Sequence, residues 1–220
     1  MNFITIDFSL NSPGICVFNS VAGEYHFISY IKPGTGTKAE QRMQEEISNL
    51  EGVTLIKQPD FTKNSEYSNG EMLKIQRYDK MAMDIMGLIA FSIDPKAPII
   101  VAFEGSSYGS SSGTNNIIDM AAGAAILKLR IMEQFQPLSI ETVAPTSIKK
   151  HAGKGNMKKN ELWDVFLDNK LNDINIVDTE FFKYSLNNVG KVSKIPKPFD
   201  DLVDAYFLNH YLATKFTTEA

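Results

Sequence analysis

Four acidic residues stand where a chain most readily builds a site. Asp7 closes the apolar run Phe3-Ile4-Thr5-Ile6, and Glu104 closes a second one, Ile99-Ile100-Val101-Ala102-Phe103. Asp201 and Asp204 lie three residues apart in a C-terminal stretch of helical pattern. Aspartate is a poor strand residue and costly to bury without partners. Asp7 therefore faces solvent, caps a turn or binds a cation. A spacing of three puts Asp201 and Asp204 on one helix face. Aspartate is also a weak helix former, so Asp204 inside the helix asks for a reason. Asp200 and Asp201 have a simple one, as caps at the helix start. Carboxylates gathered in one place repel and are stable mainly around a cation. Hard oxygen ligands suit Mg²⁺ or Mn²⁺. Two such ions about 3.5–4 Å apart activate water and stabilise a leaving phosphate-ester oxygen.

The basic residues fit that chemistry. Lys149, Lys150, Lys154, Lys158 and Lys159 fall in one window with no acid among them. Solvated surface is the plain explanation for a lysine run. Here Gly153-Lys154-Gly155 adds a tight basic turn just before a helix start, where lysines and free backbone N–H groups suit phosphate. The segment is not a Walker loop, because the Gly-x-x-x-x-Gly-Lys-Ser/Thr spacing is missing. Lys183, Lys191, Lys194 and Lys197 form a looser second group. Tyr108 is the one large side chain in the Gly/Ser-rich loop after Glu104, either half-buried or free to stack on an unpaired base. Of the scattered histidines His26, His151 and His210, only His151 lies near these residues in sequence.

The elements that must hold these groups follow from patterning. The 220 residues, 43% hydrophobic and 22% charged, are enough for one α/β domain with a real core. Net charge is −4, so the local clustering of lysines matters more than the sum. The single cysteine, Cys16, excludes an internal disulfide and fits a reducing cytoplasm. No secretion signal opens the chain, and Lys128 and Arg130 interrupt its most apolar later stretch, which argues against a membrane span. Three antiparallel strands open the chain, the third over Glu24 to Ile31. A polar helix is predicted from Lys38 to Leu50 and a strand from Val53 to Lys57. A helix from Glu71 to Phe91 buries Met72, Ile75, Tyr78, Met81, Ile85, Leu88 and Ile89. The run ending at Glu104 reads as a buried central strand. The helix from Asn115 to Phe135 carries Ala121-Ala122-Gly123-Ala124-Ala125, small residues that predict packing on two sides. A strand over Leu138 to Val143, a helix over Asn160 to Leu171, a partly ordered flap over Asp178 to Pro198 and a last helix from Asp200 to Lys215 complete the chain. Strands first, then alternating helices and strands, predict a three-layer fold with a mixed sheet.

Ile6-Asp7-Phe8-Ser9 with Gly14, Ala102-Phe103-Glu104, the Pro145-to-Lys159 segment and Asp201-Leu202-Val203-Asp204-Ala205 occur in an order that resembles the RuvC-type Holliday junction resolvases of the ribonuclease H-like superfamily. The resemblance spans most of the chain. It implies a single nuclease domain over residues 1–220, a sheet whose first three strands are antiparallel, and insertions at about 32–70 and 178–199. It implies Asp7, Glu104, Asp201 and Asp204 as catalytic ligands of Mg²⁺ or Mn²⁺, two ions per site, and DNA-backbone contact by the lysine-rich loop. It also implies a cytoplasmic homodimer, in a bacterial cell or a phage-infected host, that cuts branched DNA, with the helix after the second acid in the dimer interface. Bacterial members usually carry Asp-Pro-Gly at the first acid, where this chain has Asp7-Phe8-Ser9, so a divergent relative of the kind phages encode is expected. The alternatives are a nuclease on other nucleic acids such as RNA–DNA hybrids, a non-catalytic DNA-binding or assembly protein of the same fold, and a sugar-kinase or actin-like ATPase. The last class usually carries a Gly-rich phosphate hairpin, which Asp7-Phe8-Ser9-Leu10-Asn11 is not.

Overall fold

The computed structural model describes residues 1–31, 37–58, 67–105, 114–192 and 194–218. Its centre is a six-stranded sheet of β1 (Asn2–Asp7), β2 (Gly14–Asn19), β3 (Glu24–Ile31), β4 (Val53–Lys57), β5 (Ile99–Glu104) and β6 (Ser139–Val143). The strand order is β4-β3-β2-β1-β5-β6. β1, β2 and β3 pair antiparallel, while β4 joins β3, β5 joins β1 and β6 joins β5 in parallel. The sheet is thus mixed, with three antiparallel strands at the start of the chain, as the sequence predicts.

Period-two alternation sends successive side chains to opposite faces. Ile4, Ile6, Ile15, Val17, Val101 and Phe103 form one core with α2 (Tyr67–Ser92) and α3 (Thr114–Phe135). Phe3, Cys16, Phe27, Ile100 and Ala102 form the other, with α4 (Pro145–Ala152), α5 (Lys159–Leu167) and α8 (Phe199–Thr218). The result is the expected three-layer α/β arrangement. The polar helix α1 (Lys38–Ile47) begins with a capping box: Thr37 N–H donates to Glu40 Oε2 at 2.7 Å, and the Thr37 hydroxyl accepts from Glu40 N–H.

Several local expectations need correction. Met72 and Ile75 are exposed on α2, whereas Tyr78, Met81, Ile85 and Ile89 are buried; periodicity marks the apolar face of a helix, not how much of it a partner covers. The small-residue stretch of α3 is packed on one side only. Gly123 lies against Phe8 and Leu10, while Ala121, Ala122 and Ala125 are exposed. The stretch read as a flap starts at the last residue of α6 (Ile174–Asp178) and contains α7 (Glu180–Tyr184) and a π-helical turn (Ser185–Val189), with Phe181 and Phe182 in the core. Asp173 anchors it: Asp173 Oδ1 caps α6, and Asp173 Oδ2 accepts from the hydroxyls of Tyr25 at 2.7 Å and Tyr206 at 3.1 Å. Elements this short lack the repeats that make periodicity legible. α4 was likewise hidden behind Pro145, which sits in its first turn where a missing N–H costs nothing.

Candidate active site

β1 and β5 are parallel neighbours, and Ile6 pairs with Phe103. Both of those side chains enter the core shared with α2 and α3. The next residue on each strand therefore turns to the other face, which brings Asp7 and Glu104 side by side under α8. The N-terminal turns of α8 carry Asp201 and Asp204 to the same place. Helix α8 is clamped onto the sheet by polar bonds. Asn209 Nδ2 donates to the carbonyls of Phe3 at 2.9 Å and Cys16 at 3.0 Å, and the Thr5 hydroxyl donates to Ala205 O at 2.8 Å. Gly14 permits the close approach, because a Cβ there would stand 2.0 Å from the carbonyl oxygen of Asp201. The Ser12 hydroxyl, just before β2, donates to Asp201 Oδ2 at 2.9 Å.

The carboxylates are near enough to act on one another electrostatically. Burial raises the Asp7 carboxyl well above its ordinary range, and Glu104, Asp204 and Asp201 raise it further. Burial, then Asp204, pushes Glu104 up to about 7. Burial also raises Asp201 and Asp204, and Asp200 adds to both. Two lysines oppose this charge. Lys159 Nζ lies 3.0 Å from Asp204 Oδ2 and 3.2 Å from Asp200 Oδ2. Lys197 Nζ lies 3.3 Å from Asp200 Oδ2 and contacts Asp201 Oδ1. Burial works against the charge on Lys159, but Asp204 and Asp200 outweigh it and hold the ammonium above its usual range.

Among the described residues no three acidic or imidazole groups converge on one point as an ion's ligands do. Asp201 and Asp204 are turned onto the two lysines instead. The donor chemistry still fits a hard divalent cation. Asp7 is half-buried beside carboxylates that raise its proton affinity, the lysines supply the positive charge such a cluster requires, and the buried Asp200 Oδ1 has no hydrogen-bond partner.

The other expected residues divide. Lys159 belongs to the acid cluster, and Lys149 is near enough to Glu104 to lower its pKa. Lys150, Lys154 and Lys158 are exposed on α4 and the turn before α5. Tyr108 lies outside the described residues. His151 packs against His210 of α8, with Nε2 and Nδ1 2.8 Å apart, and burial lowers both pKa values. Asp200 is an ion-pair partner of both lysines, not a free cap. Sequence reasoning gave Lys197 only as one of a looser lysine group and missed Ser12. The i,i+4 spacing of Lys197 and Asp201 was a visible signal that the two pair.

No protein-family model matches the chain, and no curated protein matches it. Solved structures do. The chain is similar to Thermus thermophilus RuvC in complex with a Holliday junction substrate, at 10% identity and TM-score 0.50, over 98% of this chain and 96% of that one. It is similar to Thermus thermophilus RuvC alone at 14% identity and TM-score 0.50, over 99% and 98%. It is also similar to the yeast mitochondrial Holliday junction resolvase at 12% identity and TM-score 0.51, over 95% and 76%. Sheet order, strand directions and these matches together establish that the chain has the RuvC-like, ribonuclease H-type fold.

Proposed function

We propose that this chain is a divalent-metal-dependent endonuclease that cuts branched DNA, four-way junctions foremost. What supports this reading is the position of Asp7 and Glu104 at the ends of two adjacent strands, with Asp204 and Asp201 of α8 near enough to raise the Asp7 carboxyl. Of the proteins of the same fold, the yeast mitochondrial one is described as a Holliday junction resolvase, and Thermus thermophilus RuvC is seen in complex with a Holliday junction substrate.

In this reading the four carboxylates hold Mg²⁺ or Mn²⁺. Such ions supply an activated water and neutralise charge on the leaving oxygen. The chain's own residues do the rest. Ser12 and the clamp of Asn209 and Thr5 fix the helix that presents Asp201 and Asp204. Lys159 offers positive charge to a substrate phosphate at the edge of the cluster. Lys149, Lys150, Lys154 and Lys158 contact the DNA backbone along α4 and the following turn, in a manner that depends on salt. Tyr108 is assigned to stacking on an exposed base. Among the described residues no helix is long and apolar enough to cross a membrane. A cytoplasmic location belongs to the reading of the chain as a nuclease on cellular or phage DNA.

Two equivalent strands of a junction call for a two-fold enzyme. The exposed stripe Ile118, Ala122, Ala125, Leu129 and Met132 on α3 supports a homodimer, because its spacing is that of a helix-pairing seam.

The test is incubation of the purified protein with four-way junction, flap, linear duplex and RNA–DNA hybrid, in Mg²⁺, Mn²⁺ or chelator. Metal-dependent nicking of junctions is expected. Equal cutting of linear duplex and junction removes the junction preference, and cleavage of the hybrid alone moves the substrate to RNA–DNA.

A further inference from the structure

The second lysine group does not act as a group. Lys183 Nζ donates to its own segment at Asp178 O, 2.7 Å away, and Lys191 Nζ pairs with Asp168 Oδ1 at 3.1 Å. Lys194 and Lys197 instead reach a cleft of about 320 Å³ between α1, the start of α5 and the first turn of α8. Lys159 and Asn160 complete its polar wall, and Glu40 and Asp200 are the acids on it. Both acids are already engaged. Glu40 accepts from Thr37 N–H in the capping box, which holds its carboxyl below the ordinary range. Asp200 Oδ2 takes both Lys159 and Lys197. Among the described residues Lys194 forms no ion pair; its side chain is exposed, and its charge acts only at longer range on Glu40. Three ammonium groups thus line one cleft beside the acid cluster, and one of them is in no direct ion pair.

We propose that this cleft is a phosphate seat, in which Lys194, Lys197 and Lys159 bind one phosphate group and Asn160 offers a further donor. Its assignment to a phosphate of the strand being cut rests on the nuclease reading above. Phosphate fits because its several anionic oxygens can be shared among lysines that act as point charges on flexible stems. The seat also explains the pairing of lysines with acids in the free chain. Lys197 rests on Asp200 and Asp201 until a phosphate takes its charge, and Asp201 is then free to face Asp7. Filling the seat and releasing the carboxylates are one event.

The probe is thymidine 3′,5′-bisphosphate, titrated calorimetrically into the metal-free chain in chelator. The wild-type chain is expected to bind it, and the double variant Lys194→Met, Lys197→Met to bind at least about tenfold more weakly. The control Lys183→Met, Lys191→Met, at exposed lysines that do not line the cleft, should match wild type. Lys194→Met alone, at an exposed position, should lose part of the affinity without loss of fold. No binding by wild type, or equal binding by the double variant, overturns the proposal. Junction cleavage is a separate readout. A chain that binds the bisphosphate but cuts no branched DNA keeps the seat and loses the nuclease reading. A chain that cuts junctions but binds the probe equally in all variants does the reverse.

Discussion

Replacing Glu104 with glutamine should make the metal-free protein more stable at alkaline pH. A carboxyl that ordinarily titrates at 4.5 and here titrates at about 7 is held in an environment that disfavours its charge. At about 1.4 kcal/mol for each tenfold change in proton affinity, ionised Glu104 carries roughly 3 kcal/mol of unfavourable interaction. Its partly exposed position and the sharing of charge with Asp7 and Asp204 reduce this to about 2 kcal/mol. The sign follows from linkage. The folded pKa lies above the unfolded one, so the folded chain binds more protons between them and loses stability as pH rises through that window. Below pH 4.5 the penalty is absent, and above about pH 7 it is complete. In chelator at pH 8, Glu104→Gln should therefore melt roughly 4–8 °C above wild type, and the gain should vanish near pH 4. Addition of Mg²⁺ should raise the melting temperature of wild type and leave that of the variant nearly unchanged. Thermal unfolding across that pH range reads all of this. A variant less stable than wild type at pH 8 in chelator would refute the claim that the carboxylates are held together against their repulsion.

Further outcomes follow from the same geometry. Asp201→Asn and Asp204→Asn should each abolish junction cleavage while sparing or tightening binding, whereas Asp200→Asn should keep most cleavage, since Asp200 is absent from the acids that act on Asp7; parallel gel assays of cutting and binding decide it, and an inactive Asp200 variant beside an active Asp201 variant moves the assignment by one residue. Gly14→Ala should displace the first turn of α8, because the new Cβ would sit 2.0 Å from Asp201 O; a loss of about 2 kcal/mol or more in denaturant unfolding is expected, with cleavage lost as well. Asp173→Ala strands the hydroxyls of Tyr25 and Tyr206 and removes a cap, at a cost of about 2–4 kcal/mol, and a cost under about 1 kcal/mol in urea would show that water replaces the carboxylate. Leu129→Glu, in the exposed stripe of α3, should convert a dimer to a monomer by light scattering, with unchanged melting of the monomer.

The amino-acid sequence by itself determined the strands and the ends at which acids sit. A β-branched apolar run stopped by Asp7 or Glu104 is a local signal, and so is the i,i+3 spacing of Asp201 and Asp204, because both depend only on short-range periodicity. The antiparallel opening was legible for the same reason, since short turns join consecutive strands. What only the tertiary structure decided is how distant residues share charge. Lys159, expected on a phosphate-binding surface, is drawn into the acid cluster at 3.0 Å from Asp204. Lys197, which stood out in no motif, neutralises Asp201. Asp200, which looked like a cap, holds both lysines. His151 and His210, 59 positions apart, form a pair. Met72 and Ile75 were expected inside because helical periodicity reports which face is apolar, not whether a partner covers it. The 174–189 segment was obscure because helices of one turn have no period, and it is held by buried rings and by Asp173. Coulomb interactions and packing depend on distance in space, and the approach of α8 to β1 and β2 across Gly14 sets those distances.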